Sequence, residues 1–185
     1  HRTHRGNNNF YDYPTYSTTS PQITRINYRG VGSSGSATSY VSINHAATTS
    51  FSELLGAGSL TSFFLGKAGS VNGTYGGHIA EVVVYAKSTS PAENDKIETY
   101  LSLKYGIPLG DPQTSDYISS TGTILWDASV HVDYHHDVMG IGRDDGSGLQ
   151  QKITRPSSLS SINVMLSLEN DFSSPNTSLA RTISY

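Results

Sequence analysis

Three carboxylates stand close together in the chain, Glu93, Asp95 and Glu98, in the order E-x-D-x-x-E. Paired carboxyl groups are what glycoside hydrolysis needs: one protonates the leaving oxygen while the other attacks the sugar or activates water. In a retaining enzyme the two lie about 5–5.5 Å apart across the scissile bond. Just ahead, Ser90-Pro91-Ala92-Glu93 reads as a helix start, with a serine cap, a proline at the first helical position and a glutamate closing a capping box. On a helix turning about 100° per residue, the three carboxylates point to about 0°, 200° and 140° around the axis and do not converge. Glu93 is also committed to the cap. The string is read as non-catalytic, and the chain as no enzyme.

Two further groups could hold a cation. His131, Asp133 and His135 alternate, so on a strand they would share one face, with His136 and Asp137 close by. Two imidazoles and a carboxylate suit Zn²⁺. The plainer reading is a solvent-facing polar stripe opposite Val130, Val132 and Tyr134, and no metal is expected there. Asp144 and Asp145, ahead of Gly146-Ser147-Gly148, offer oxygen ligands to calcium, but no glutamate follows at EF-hand spacing. A turn accounts for them, leaving calcium as the one ion still open and no cofactor expected. Tyr11, Tyr13, Tyr16, Tyr28 and Trp126 could stack on sugar rings, although ordinary core and rim packing explains scattered aromatics equally well.

The elements that would position these residues are mostly strands. Ile23–Tyr28 and Tyr40–Asn44 alternate apolar and polar residues, separated by a glycine-rich turn over 30–35. His78–Tyr85 is the strongest strand signal, Val-rich as a central strand should be. Ile97, Tyr100 and Leu101 then recur at helical spacing, a narrow apolar stripe able to dock on a sheet. Gly106 and Pro108 end that helix, predicted over 91–104. Beyond it, Tyr117-Ile118, Thr123–Trp126, Val130–Tyr134 and Ile162–Leu168 read as strands of a second β region, with a hairpin signal at Asp144-Asp145-Gly146.

Composition agrees. Only 35% of the 185 residues are apolar and 15% charged, so small polar residues dominate, and 12 tyrosines add to the β signal. A formal charge of −3 without a basic cluster argues against nucleic-acid binding. Cysteine is absent, which excludes disulfides and thiolate sites. No apolar run approaches membrane-span length.

The stretch Tyr75-Gly76-Gly77-His78-Ile79-Ala80-Glu81-Val82-Val83-Val84-Tyr85, with Ser90-Pro91-Ala92-Glu93 and Ile97–Ile107, resembles the closing segment of bacterial LamG-like, concanavalin A-like modules. Val138–Asp145 and Ser147–Lys152 resemble the "G-I-G-R-D-D-x-S-G-L-x-Q-K" segment that follows it, so the likeness covers roughly residues 62–155. Such modules occur in large secreted surface proteins of Bacteroidota. The resemblance implies a jelly-roll sandwich sealed by a short helix, an extracellular or cell-surface location, adhesion or glycan binding, and export often by type IX secretion. One glycoside hydrolase family of the same sandwich fold carries E-x-D-x-x-E as its catalytic string, but on a strand inside the concave groove; the helix start here departs from that pattern.

The expected organisation is an extended lead-in over 1–22, the C-terminal part of a LamG-like β-sandwich with its sealing helix over 23–108, and a second, unfinished β region over 109–185. Residues 23–86 hold roughly four or five strands of the usual 5–6 residues, about a third to a half of a sandwich. The remaining strands are expected from an upstream part of the same polypeptide or from a neighbouring subunit. A structural subunit or spacer of an extracellular fibre is the alternative to an adhesion module.

Overall fold

The computed structural model describes residues 2–5, 9–12, 20–27, 35–46, 49–55, 65–66, 75–110, 115–134, 137–157, 166–167 and 175–176. The strands before the helix are β1 (Arg2–Arg5), β2 (Asn9–Asp12), β3 (Thr24–Asn27), β4 (Gly35–Ile43) and β5 (Thr49–Leu55). The helix α1 (Pro91–Tyr105) precedes β6 (Tyr117–Ile118), β7 (Ile124–Trp126), β8 (Gly142–Asp144), β9 (Leu149–Gln151), β10 (Ile153–Thr154) and β11 (Leu166–Ser167). Among the described residues the chain is mainly β, with one helix and small antiparallel sheets. It divides into two compact units.

The first unit comprises His1–Tyr16, Ile26–Val41 and Thr49–Thr89. Residues 1–22, expected as an extended lead-in, instead contain an antiparallel ribbon pairing Arg2 with Asp12 and Arg5 with Asn9. In the three-stranded sheet of order β3-β4-β5, β4 and β5 pair antiparallel from Gly35↔Leu55 to Val41↔Thr49.

A larger departure concerns His78–Tyr85, which forms no strand. Ile79, Val82 and Val83 are near 45% exposed and Val84 reaches 70%. β propensity describes how well side chains fit a pleated, half-buried surface, and it acts only where a neighbouring strand supplies that surface. Ser62-Phe63-Phe64-Leu65-Gly66, a short apolar run closed by glycine and also expected to be strand, lies outside the described residues up to position 64.

The second unit comprises Ser17–Arg25, Ser42–Thr48 and Ser90–Tyr185 and is organised around α1. The helix start is as the sequence dictates. The Glu93 amide donates to Ser90 Oγ at 3.2 Å, and the Ser90 amide donates to Glu93 Oε2 at 2.7 Å. Ser90→Ala is expected to lower stability by about 0.5–2 kcal/mol, read as a lower thermal midpoint, because an orphan first-turn amide loses its acceptor. At the other end Gly106 takes a left-handed conformation (φ 64°) and its amide returns to the Ser102 carbonyl.

Three two-stranded antiparallel ribbons accompany the helix: β6–β7, β8–β9 and β10–β11. The helix packs on β6, β9 and β10. The Asp144–Gly146 signal is a true hairpin, joining Gly142↔Gln151 through Asp144↔Leu149, with Gly148 rather than Gly146 supplying the positive φ. Ile23, Ile107, Leu109, Tyr117 and Val138 form the core, flanked by Leu101, Leu103, Tyr105 and Trp126. The Tyr117 and Trp126 rings meet edge to face at 5.6 Å, and the Leu109 amide donates to the Tyr117 hydroxyl at 3.1 Å.

The expected apolar stripe of α1 needs correction. Leu101 packs against the core, whereas Ile97 and Tyr100, equally half-buried, do not join the core cluster. The fully buried helix residues are Asn94, Glu98, Thr99 and Ser102, all polar. Buried polar groups need partners, and segments outside the helix provide them for Glu98, Thr99 and Ser102. Thr99 Oγ1 accepts from the Ile118 amide at 3.1 Å, and Ser102 Oγ donates to the Ile107 carbonyl.

Candidate functional site

The most deeply placed charge among the described residues is Glu98, 1% exposed on the buried face of α1. Two cations from distant segments meet it. Arg25, on β3, donates from Nε to Glu98 Oε1 at 2.9 Å. His45 brings Nδ1 against Glu98 Oε2, so each carboxylate oxygen has its own basic partner. The side chains of Arg25 and His45 keep 21% and 18% of their surface exposed. One helical turn earlier, Asp95 Oδ1 lies 3.8 Å from His45 Nε2.

A tight turn delivers His45. The Ala46 amide donates to the Ile43 carbonyl at 2.9 Å, and the two central residues, Asn44 and His45, have φ of 47° and 61°. Asn tolerates this left-handed region better than most residues; His occupies it against a steric cost. Asn44 ties the turn to the core strand segment: its amide donates to the Ile23 carbonyl and its Oδ1 accepts from the Ile23 amide, both at 2.8 Å.

The cluster shifts its members' protonation. The hydrogen bond to Glu98, opposed by burial and reinforced by the Glu98 and Asp95 charges, raises His45 above its ordinary 6.5. Burial pushes Glu98 upward, but the His45 hydrogen bond and the Arg25 charge outweigh it and hold the carboxyl below its ordinary 4.5. Glu98 is thus an ionised carboxylate with both oxygens engaged, suited to holding segments together and unsuited to donating a proton.

The other acids of the E-x-D-x-x-E string are elsewhere on the helix. Glu93 closes the capping box, and Asp95 faces His45 from a more exposed position.

The expected cation ligands are dispersed. Val130–Tyr134 is not a strand: the His131 amide returns to the Asp127 carbonyl at 3.1 Å, and the Tyr134 amide to the His131 carbonyl at 2.9 Å. The reason lies in Asp127, whose Oδ1 accepts from the Ser129 amide (2.8 Å), the Ser129 hydroxyl (2.6 Å) and the Val130 amide (3.2 Å). Such a side-chain cap starts a turn in competition with the sheet ladder. His131 and Asp133 therefore do not share a strand face; His135 lies outside the described residues, as does His136.

Asp144 accepts from the Ser120 amide at 2.8 Å and from the Ser120 hydroxyl. Burial opposes its ionisation, yet these bonds and those from Ser147 hold its carboxyl below the ordinary range. Asp145 instead pairs with Arg143 at the surface. Among the described residues no three His, Cys, Asp or Glu side chains are gathered to hold a metal, and no helix is long and apolar enough to cross a membrane.

Of the aromatic candidates, Trp126 is half-buried between Tyr117 and the His131 ring, whose centroid is 6.0 Å away. Tyr11 lies on β2 opposite Thr3. Tyr13, Tyr16 and Tyr28 lie outside the described residues.

Sequence reasoning did not reach Arg25 and His45 as partners of Glu98. They stand 73 and 53 residues from it, beyond any local pattern. The available signal was Asn44-His45 itself, a turn-prone asparagine followed by a titratable ring.

No curated protein and no solved structure matches the chain. Residues 93–184 match the model of a family described as a domain of unknown function (DUF8202), a stretch that contains Asp95 and Glu98 but not Arg25 or His45.

Proposed function

We propose that this chain is a non-catalytic adhesion or binding module of a larger bacterial cell-surface or secreted protein, built on part of a concanavalin A-like jelly roll, with a glycan as its candidate ligand. The observation that carries the non-catalytic part is the fate of the carboxylates. Glu93 serves as a helix cap, and Glu98 is buried in a double ion pair, so no acid–base pair of the string faces a common cleft. The location and the sandwich rest on the resemblance of residues 62–155 to LamG-like modules, and fold-level likeness by itself supplies no ligand.

A second reading, a structural subunit or spacer of an extracellular fibre, is favoured by one feature. Ile79, Val82, Val83 and Val84 are exposed although their sequence suits a buried strand. Pairing with a neighbouring strand is the usual fate of such a segment.

A glycan array separates the readings: saturable binding to defined sugars supports the adhesion module, and no binding together with filaments under the electron microscope supports the spacer. Turnover of a polysaccharide that disappears in Glu93→Gln or Glu98→Gln would overturn both.

A further inference from the structure

Both ring nitrogens of His45 face carboxylates. Nδ1 meets Glu98, and Nε2 lies 3.8 Å from Asp95 Oδ1. A neutral imidazole carries a proton on one nitrogen only, and it would turn a bare lone pair toward the other carboxylate. The imidazolium alone presents an N–H to each. The third charged group facing this ring is the Arg25 guanidinium, which shares Glu98 from β3. It opposes the charge on His45, while the two carboxylates favour it.

His45 also sits where its backbone does not hold itself. Its φ of 61° is disfavoured for a residue with a side chain, so the conformation depends on external ties. The ties of Asn44 to Ile23, and of the Gly110 amide to the Asn44 carbonyl, do not involve a titratable group. The tie of His45 to α1 does.

We propose that the Asn44–His45 turn is a protonation-dependent latch, closed onto α1 while the His45 ring is an imidazolium and loosened when it is neutral. This goes beyond the binding role and does not depend on it. The direction of the pH effect follows from the raised His45 value: the latch is fully closed below about 6.5 and is lost as pH rises through the folded value, which lies above 6.5. Across that window Glu98 stays ionised, since its own folded value is below 4.5.

The test is NMR on the 185-residue chain. The ring signals of His45, assigned by their disappearance in His45→Asn, give its midpoint, and hydrogen exchange of the Ala46 amide reports closure of the turn. The His45 midpoint should lie above 6.5. Protection of Ala46, corrected for intrinsic exchange, should fall by about tenfold for each unit that the midpoint exceeds the ordinary value. Asparagine keeps the left-handed backbone accessible, so in His45→Asn the protection should become independent of pH. A native midpoint at or below 6.5, unchanged protection across the titration, or the same pH dependence in His45→Asn overturns the latch.

Discussion

Glu98→Ala is expected to destabilise the second unit by about 3 kcal/mol, near the lower end for breaking a buried ion pair from one side. The carboxylate is 1% exposed, and its removal leaves Arg25 and His45 as two like charges facing a gap in the helix. The loss stays near the lower end because both partners keep about a fifth of their side-chain surface in water and can rehydrate. Chemical unfolding followed by helix circular dichroism measures it. The double variant Arg25→Met/Glu98→Leu should recover part of the loss, since it replaces one of the two stranded charges by an apolar group and leaves only His45, which still has Asp95 beside it. Acid should act in the same direction as the single substitution. Glu98 is lowered from its ordinary 4.5, so its contribution is present above that value and is lost as pH falls through the folded one. A Glu98→Ala chain as stable as the native one would mean that the cluster does not hold α1.

Gly106→Ala should cost about 2–5 kcal/mol, for two separable reasons. A Cβ in the left-handed region costs about 1–2 kcal/mol in any context. Here the added carbon would also stand 2.1 Å from the Arg155 carbonyl oxygen and 3.0 Å from Pro156 Cα, backbone atoms that cannot rotate away. The Ser157 amide donates to the Gly106 carbonyl at 2.7 Å, so moving the 155–157 segment aside would also strain a hydrogen bond. Overpacking of this kind adds about 1–3 kcal/mol. Gly148→Ala is the control. Its φ of 69° is similar, but no atom lies within 4 Å of the added carbon, so only the backbone cost should appear. Equal losses at the two positions would show that the close approach of the 155–156 backbone contributes nothing.

These two substitutions bracket what was legible beforehand. The importance of Gly106 as a helix stop can be read from Lys104-Tyr105-Gly106-Ile107-Pro108, but its contact with residues 155–156 cannot. Glu98 was visible only as the last acid of a string that does not converge on a helix. Its burial contradicts the usual expectation for a glutamate, and the expected apolar stripe drew attention to Ile97 and Tyr100 instead.

By itself, the sequence determined the features that arise within a few residues of chain. Ser90 and Glu93 cap α1 because each reaches the other's amide three positions away, and Gly106 ends it because only glycine adopts that conformation freely. The β8–β9 hairpin, the short strands β3, β6 and β7 and the C-terminal part of β4 follow from the same local alternation and turn chemistry. Tertiary structure alone decided the rest. A strand needs a partner to complete its ladder: the less apolar Thr49–Leu55 has one in β4, while the Val-rich 78–85 segment forms no strand. A buried carboxylate likewise exists only when cations arrive to balance its desolvation, and those at Glu98 come from a strand and a turn that precede the helix by dozens of residues.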